Sequence, residues 1–484
     1  MKLVKQVLLS VVLLAGAASL AVGVMMKFYG LRFQMDGTGY RPMAYFDRTE
    51  ARLKEIEKRT ELEGAAAAPA ASPLVKASAS SPAAVPAAMP AAVPAAVPMT
   101  GPSVVPASAP WPGFYGSLRN GTYTEGAILT TWPKSGLKEA WRRPVGQGYG
   151  SMTVAQGLLF TIEQRRGQEV AAAYDAATGK AAWTNSWKAF FQEPMGGDGP
   201  RSTPSWDEGR LYVLGATGEF RCLDAATGKV IWRRNILEEN GTPNLLWGMA
   251  ASPLVTGELV LVMGGNGVGA YEKKTGAPLW RALEDRGSYT APMLVTLGGQ
   301  PQFLLVMSRR ALGLSLDGKK VLWEVPWVTE YDTNSAIPIV VDANHVILTA
   351  GYGHGAVLLE ISKDGAREVW KSQAMKCKFN NAVLHKGVVY GLDEGIMAAM
   401  DAAGGKRLWK GGRYGYGQLL LAGEHLVVLT ESGEIALVKA SAERHEEVAK
   451  FEAIQGKTWN VPAMAGGRLY VRNGEEMAAY QIAP

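Results

Sequence analysis

Short apolar runs separated by glycine turns fill the last three quarters of the chain. Between Trp183 and Trp232 the order is RSTPSW, a Gly-Arg turn, LYVLGA, a Thr-Gly turn, FRCLDA, an Ala-Thr-Gly-Lys turn and VIWRR. Each run is rich in β-branched and aromatic residues, and each is bounded by turn residues. The pattern therefore predicts four antiparallel β-strands in this interval.

The same interval recurs along the chain, and each copy ends in a large aromatic residue. Successive copies are 39 to 49 residues apart, and the degenerate last copy ends at Phe451. The others end at Trp141, Trp183, Trp232, Trp280, Trp323, Trp370 and Trp409. Four-stranded units at this period are typical of β-propeller blades. We expect each tryptophan to lie in the fourth, outer strand and to pack its ring between neighbouring blades.

The two ends of the repeat region are incomplete in complementary ways. After Phe451, the runs WNVPAM, RLYVRN and MAAYQI supply three strands without a fourth, while LKEAWRR around Trp141 is a fourth strand without its first three. Joining them produces an eighth blade and removes free sheet edges. The sequence predicts an all-β, eight-bladed propeller over residues 111–484, with seven blades as the alternative.

A membrane or export segment is expected at residues 1–26. Val7 to Met26 form an uncharged, mostly apolar run of 20 residues, preceded by Lys2 and Lys5. A helix of this length just spans a hydrocarbon core of about 30 Å, which favours a transmembrane anchor. A cleaved secretion signal is the alternative, because Ala15 to Ala17 offer small residues to a peptidase.

Two further segments separate this run from the propeller. Residues 27–64 include the charged stretch Asp47 to Glu63, in which Asp47 can cap a helix and Gly64 can end it. We expect a solvated helix here, with a partner-binding or coiled-coil role as the alternative. Residues 65–110 are almost entirely Ala, Pro, Val and Ser, and this composition predicts a disordered, extended spacer.

Composition excludes several classes of protein. A net charge of +6 over 484 residues gives no support for nucleic-acid binding. Two cysteines exclude a disulfide-dense scaffold, a four-cysteine metal site and a CxxCH haem attachment. The five histidines have no metal-ligand spacing.

The repeat DAATGK-x-x-W resembles the pyrroloquinoline-quinone (PQQ) repeat of eight-bladed propellers. The lead-in WPGFYGSLRNG is similar to the WPxxRGxxRDG opening of exported bacterial members, although Tyr115 replaces its arginine and Asn120 its aspartate. The resemblance covers Trp111 to Pro484. It implies one of two functions, because some members resemble quinoprotein alcohol dehydrogenases and others the outer-membrane-assembly propeller, which binds proteins without a cofactor.

The chemistry of a quinone enzyme is only partly represented. The enzymes of this family place two adjacent cysteines against the quinone ring, whereas Cys222 and Cys377 are expected four blades apart, as a core residue and a loop thiol. A divalent cation and a carboxylate base are also needed. Asp332, in EYDTN, is a candidate for that base or for a ligand of the cation.

One residue per blade, just before the innermost strand, is expected to line the axial opening. These residues are Tyr149, Arg201, Trp247, Tyr289, Asn334, Asn380, Tyr416 and Trp459. Such a set could hold a flat anionic ligand by stacking and a charge-assisted hydrogen bond, or bind a peptide. It could equally pack the hub of the propeller.

Two functional hypotheses follow. The favoured one is a non-catalytic binding or assembly scaffold, monomeric, anchored in the inner membrane of a bacterial envelope with the propeller in the periplasm, or secreted after cleavage. It expects an envelope protein or peptide as partner, no nucleic acid, no metal and no cofactor. The alternative is a PQQ- and calcium-dependent alcohol or sugar dehydrogenase, with Arg201 and Trp247 or Trp459 holding the quinone.

Overall fold

The computed structural model describes residues 2–28, 30–35, 42–64, 66–67 and 111–484. The side chains of residues 2–13, 28, 34–35, 43, 45–46 and 66–67 lie outside this description. Of the predicted spacer at 65–110, only Ala66 and Ala67 are described, so its disorder stays a prediction. The elements before the propeller are α1 (Lys2–Phe28), β1 (Leu31–Met35), β2 (Pro42–Phe46), α2 (Thr49–Leu62), β3 (Ala66–Ala67) and β4 (Thr122–Tyr123).

Eight antiparallel four-stranded blades form the propeller, and two of them gain one short parallel strand. The first four blades are β6–β9 (Thr153–Ala155, Leu158–Arg165, Gln168–Asp175, Ala181–Lys188), β10–β13 (Ser205–Asp207, Arg210–Leu214, Glu219–Asp224, Val230–Asn235), β14–β17 (Leu254–Thr256, Leu259–Met263, Asn266–Glu272, Pro278–Arg286) and β18–β21 (Met293–Leu297, Gln300–Val306, Arg310–Leu314, Val321–Pro326). The next three are β22–β25 (Ile339–Val340, His345–Ala350, Gly355–Ser362, Gly365–Ser372), β26–β29 (Val383–His385, Val388–Asp393, Ile396–Asp401, Arg407–Arg413) and β30–β33 (Gln418–Ala422, His425–Leu429, Glu434–Lys439, Glu447–Glu452). The helix α3 (Ile236–Asn240) and the 3₁₀ turn Glu330–Asp332 lie in connections between blades.

The eighth blade is closed by both ends of the propeller. Its strands are β34 (Ala463–Ala465), β35 (Arg468–Arg472), β36 (Glu476–Gln481) and β5 (Glu139–Pro144). β5 pairs antiparallel with β36, and Trp141 lies opposite Ala479. The all-β fold with eight blades is thereby confirmed, and the seven-blade alternative is wrong.

The repeated turn explains the repeated sequence. In the first blade, Asp175 Oδ1 accepts hydrogen bonds from the Thr178 amide and hydroxyl, both at 2.7 Å. Gly179 then takes a φ of +71°, and Trp141 of the preceding blade lies against it. Trp141 Nε1 also donates to the Ala176 carbonyl of this turn at 3.1 Å. Asp, Gly and Trp therefore recur together because an outer-strand ring packs on the turn of the next blade, as Trp141, Trp183, Trp232, Trp280 and Trp370 do.

The lead-in crosses the end of the ring opposite the predicted opening. Tyr115 is fully buried, and its hydroxyl donates to the Leu419 carbonyl at 2.8 Å. Arg119 donates to the carbonyls of Ser252 and Pro292 at 3.2 and 3.0 Å. β4 then pairs in parallel with β30, an innermost strand. The lead-in thus joins distant blades and closes this end of the axial channel.

The helix α2 packs on the propeller, and the prediction of a solvated helix is wrong. Ile56 is only 1% exposed, and Leu53 is buried as well. Arg166, in the turn between β7 and β8, forms ion pairs with Glu50 and Glu57 at 3.0 and 2.5 Å. Two apolar residues on one helical face, together with complementary charges, suffice to seat a short helix on an existing surface.

This contact lies where the ring closes. At the end of α2, Glu63 pairs with Arg143 of β5 at 3.1 Å and accepts a hydrogen bond from the Ala181 amide of the first blade at 2.7 Å. β3 then adds to the outer edge of the first blade in parallel with β9. The segment from α2 to β3 therefore spans the seam between the last and first blades.

Within the part of the chain described with its side chains, no helix has both the length and the hydropathy that a membrane crossing requires. The transmembrane assignment of residues 1–26 stays a prediction.

Candidate functional site

An axial pocket of about 220 Å³ opens where the connections between blades enter the innermost strands. Its walls follow an alternating pattern. Tyr289 and Ala291, then Thr333 and Ser335, Phe379 and Asn381, and Trp459 and Val461 all line it. Alternate residues of an extended chain point the same way, so each connection presents residues two apart to the axis. Phe114 of the lead-in also lines the pocket.

Five of the eight residues predicted to line the opening do so. They are Tyr149, Arg201, Trp247, Tyr289 and Trp459. All five lie in connections that precede an innermost strand. Their functional role is not tested by this placement.

Asn334 and Asn380 are buried beside the pocket and do not line it. The Asn334 amide donates to the carbonyls of Met307 and Ser308 at 2.9 and 3.0 Å, tying two blades together. The neighbouring residues Thr333 and Phe379 occupy the lining positions instead. The choice from sequence was therefore displaced by one residue in these two connections, and one residue reverses the side of an extended chain.

Tyr416 lies in an outer cavity of about 1000 Å³ above the pocket, and Tyr149 lines both spaces. Glu431 joins the two spaces: its Oε2 accepts from the Tyr416 amide at 3.1 Å, and its Oε1 accepts from Trp459 Nε1 at 2.8 Å. Residues of the chain before the propeller, including Phe33, complete the outer cavity.

The rings around the opening pack against one another. The centroids of Tyr149 and Trp459 are 5.5 Å apart, and those of Trp459 and Phe379 are 4.6 Å apart. On the other side, Trp247 and Tyr289 are 5.5 Å apart. Aromatic groups held in this way offer a rigid apolar surface, because their rotamers are already constrained by their neighbours.

Three cations lie among these rings. The Arg201 guanidinium is 5.4 Å from the Tyr149 centroid, Lys457 Nζ is 3.7 Å from that of Trp459, and Lys378 Nζ is 4.5 Å from that of Tyr352. Burial lowers the pKa of Lys457 to about 7. Sequence reasoning missed both lysines because it selected a single residue per connection. The sequence pattern that could have identified them is a basic residue two positions before a predicted lining residue: Lys457 precedes Trp459 in this way, and Lys378 precedes Asn380.

No carboxylate lines the axial pocket among the residues that the structure describes. Asp332 lies on the surface in the 3₁₀ turn, and both of its oxygens accept from Arg309 Nη1 at 2.9 and 3.0 Å. Elsewhere in the described ranges, no group of three or more His, Cys, Asp or Glu residues could hold a metal ion. A quinone bridged to a calcium ion needs carboxylate oxygens. The pocket residues therefore do not fit that group.

The two cysteines are free and buried. Cys222 lies in β12, and burial raises the pKa of its thiol to about 12. Cys377 lies in the connection from β25 to β26, as predicted, and it is fully buried. Burial raises the pKa of this thiol to about 12 as well. Neither residue lines the pocket.

Comparison with known families finds one match, over residues 166–411, to the family described as outer membrane protein assembly factor BamB. The matched region runs from the first blade into the sixth. No curated protein sequence matches the chain. The resemblance inferred from the repeat is thus confirmed for the family.

Solved structures share the fold at low sequence identity. BamB from Moraxella catarrhalis is 16% identical with a TM-score of 0.53, and the match covers 71% of this chain and 97% of that one. A europium-containing methanol dehydrogenase is 14% identical with a TM-score of 0.56, covering 76% and 90%. Quinohemoprotein alcohol dehydrogenase from Comamonas testosteroni is 13% identical with a TM-score of 0.53, covering 78% and 80%. Likeness at this level shows the propeller fold and nothing finer.

Proposed function

The chain belongs to the family described as outer membrane protein assembly factor BamB, and from that premise we propose that it is a non-catalytic binding scaffold of the bacterial envelope. A partner protein or peptide binds at the open end of the propeller. The family description speaks of assembly, and a rigid ring with one lined opening suits that task. The chain needs no PQQ for this role.

The composition of the axial pocket is the observation that carries this proposal. Its walls combine aromatic rings with Arg201 and Lys378, and they contain no carboxylate among the described residues. Oxidation of an alcohol needs a base to accept the hydroxyl proton, and a quinone-bound cation needs oxygen ligands. Tyr, Trp and Arg, in contrast, dominate the energetics of protein interfaces.

The pocket size supports the same proposal. At about 220 Å³ it is smaller than the roughly 300–1,000 Å³ typical of small-molecule sites. It accommodates one large side chain from a partner. The rings are already packed together, so such a side chain is bound with little further ordering of the pocket.

An envelope location is part of the proposal. The apolar run from Val7 to Met26 and the Ala/Pro-rich stretch at 65–110 support export and a spacer between the run and the propeller. N-terminal sequencing of the protein from envelope fractions distinguishes a membrane-anchored protein from a secreted one. A retained Val7–Met26 run supports an anchor, and a mature start near Ala18 supports a secreted protein.

Photocrosslinking tests the scaffold role directly. A benzophenone amino acid is placed at Leu246, which is 68% exposed in the connection from β13 to β14. The matched control carries it at Lys319, in an exposed turn between β20 and β21 on the opposite face. We expect one discrete envelope protein to crosslink at position 246 and not at 319.

The oxidoreductase alternative is tested in parallel on the full chain. PQQ and Ca²⁺ are titrated while tryptophan fluorescence and the reduction of an acceptor dye by an alcohol are followed. The scaffold proposal expects no dye turnover. Saturable PQQ binding with turnover would overturn the scaffold proposal. Equal crosslinking at positions 246 and 319 would show that the partner does not bind at the opening.

A further inference from the structure

Two cations of the opening contact the same aromatic ring. The Arg201 guanidinium is 5.4 Å from the Tyr149 centroid, and Lys457 Nζ is 5.3 Å from it. Arg201 belongs to the axial pocket and Lys457 to the outer cavity, and Tyr149 lines both. Both positive charges therefore border the Tyr149 ring, at the boundary between these two spaces.

Backbone carbonyls, rather than carboxylates, hold this pair. Arg201 donates to the carbonyls of Gly199 and Gly197 at 2.5 and 2.6 Å, and Lys457 donates to that of Gly196 at 3.3 Å. Burial lowers the pKa of Lys457, and the carboxylates of Glu431, Glu193 and Asp198 act in the opposite direction. Backbone dipoles thus orient both charges, and the nearby carboxylates offset that of Lys457 in part.

The nearest carboxylates of the same loop are engaged elsewhere. Glu193 Oε1 accepts from the Met195 amide at 3.1 Å, and its Oε2 accepts from the Gly196 amide. Asp198 Oδ1 accepts from the Glu193 amide at 3.4 Å. These bonds shape the loop that carries the carbonyls.

Exposed apolar side chains lie on more than one side of the opening. Met195, between the first and second blades, is 59% exposed, and Leu246, between the second and third, is 68% exposed. Tyr331, between the fourth and fifth blades, is 70% exposed. All three lie in connections on the same face. A chain that crosses the opening can contact apolar groups before and after it passes the cations.

We propose that an extended internal segment of a partner protein crosses this opening and places one acidic side chain between Arg201 and Lys457. An apolar residue beside that acid packs on the rings of Tyr149 and Trp459. This inference rests on the proposed scaffold function and names the chemistry that the opening recognises. Charge-assisted hydrogen bonds in a partly desolvated site are strong enough to select an acid over its amide.

Binding of an acid here is expected to depend on pH. Burial lowers the pKa of Lys457 to about 7, and an incoming carboxylate raises it again. The charged groups that act on Lys457 are Glu431, Arg201, Glu193 and Asp198. The carboxylate prefers the protonated lysine, so affinity falls as the pH rises through and above about 7.

Defined peptides test the proposal on the full chain. The probe is a fluorescein-labelled nine-residue peptide with blocked ends and a central Asp flanked by Leu and Phe. A second peptide carries Asn in place of the central Asp. A third also carries Asn at the centre, but its C-terminus is a Phe with a free carboxylate. Fluorescence anisotropy at pH 6 and pH 8 reports each affinity. We expect the Asp peptide to bind at least about tenfold more tightly than the Asn peptide, and more tightly at pH 6.

Variants of the two cations complete the test. Lys457→Met keeps the contact with the Trp459 ring but removes the charge, and we expect a loss of about tenfold for the Asp peptide and none for the Asn peptide. Arg201→Met should act in the same direction. Lys319→Gln, in a turn on the opposite face, is the control and should change nothing. Thermal unfolding of each variant checks that it is folded.

The outcomes separate this inference from the scaffold proposal. Equal binding of the Asp and Asn peptides, or unchanged binding by Lys457→Met, overturns the acid site. Preference for the free terminal carboxylate overturns the internal segment. If position 246 still crosslinks to the partner in Lys457→Met while the Asp peptide no longer binds preferentially, the scaffold proposal holds and the acid site is wrong for this partner. PQQ-dependent turnover would overturn both the scaffold proposal and the acid site.

Discussion

Gly228 of the second blade lies directly against the indole of Trp183 in the first. A Cβ on residue 228 would be 2.4 Å from Trp183 Cε3, and the φ of Gly228 is +70°. Trp183 Nε1 donates to the Ala225 carbonyl of the same turn at 2.9 Å. The corresponding contact joins Trp141 to Gly179. At these junctions a blade is therefore joined to the next through a ring that only glycine can accommodate.

Replacing this glycine should weaken the propeller strongly. We expect Gly228→Ala to lower the free energy of unfolding by about 2–5 kcal/mol, because a left-handed backbone and an overpacked ring both cost energy. Gly209→Ala is the matched control: its φ is +78°, and nothing lies within 4 Å of its added Cβ. It should cost only about 1–2 kcal/mol. Urea unfolding of both variants measures the difference, and equal losses would contradict the ring contact.

The packing of α2 on the propeller depends on two buried apolar residues, of which Ile56 is the more deeply buried. Ile56→Ala should detach the helix, since truncation of a buried isoleucine costs about 2–5 kcal/mol and the helix has few other apolar contacts. Hydrogen exchange of the amides in residues 52–62 should accelerate while the blades stay protected. Leu62→Ala is the control, because Leu62 is 76% exposed. Unchanged exchange in Ile56→Ala would show that the remaining contacts, which include Leu53 and the ion pairs of Arg166, hold the helix without Ile56.

Acid should destabilise the first blade through Glu163. Burial alone would raise the pKa of this carboxyl, but the Arg165 guanidinium at 2.9 Å outweighs it and holds the pKa at about 2. An unfolded glutamate titrates near 4.3. The stability contributed by Glu163 is therefore present above about pH 4.3 and is lost as the pH falls toward 2.

The variant Glu163→Gln checks this linkage. It should lose about 3–5 kcal/mol of stability at pH 7, because Arg165 is left buried without its partner. It should also lose less stability than the unaltered chain between pH 4.5 and pH 3. Urea unfolding across this range, with the exposed Glu330→Gln as control, measures both effects. Identical pH profiles for Glu163→Gln and the unaltered chain would refute the role of this ion pair.

Lys457 should react as an unusually nucleophilic lysine. Burial lowers its pKa to about 7, so about half of its side chains are neutral amines at neutral pH. Ordinary lysines titrate near 10.4. Brief acetic anhydride labelling at pH 7, read by mass spectrometry, should modify Lys457 well before the exposed Lys363. A rate that rises only near pH 10 would be inconsistent with its burial.

Most of the ring was predictable from local patterns. The interval ending at Trp232 contains its four strands and its turn in sequence order, and the unpaired strand around Trp141 identifies the closing blade. These signals are local because each blade is one continuous piece of chain, apart from the single strand that closes the ring. The docking of α2 was not predictable. Leu53 and Ile56 are too few to suggest a core by themselves, and only the surface of the finished propeller offers them a partner.

The candidate site shows where sequence reasoning stops. The presence of Tyr149, Arg201 and Trp459 at the opening followed from their place before innermost strands. That Phe379 rather than Asn380 lines the pocket could not be predicted. Neighbouring residues of an extended chain face opposite ways, and the repeat does not fix the alignment of the connections to within one residue.

The sequence by itself thus determined the eight blades, their strands and turns, and the face on which the connections lie. Apart from the closing strand around Trp141, these depend on contacts within about 50 residues. Only the tertiary structure decided which side chains meet at the axis. Arg201 and Lys457 are 256 residues apart in sequence, yet ring closure brings both to the Tyr149 ring. Their proximity depends on closure of the whole propeller, a property that no single repeat contains.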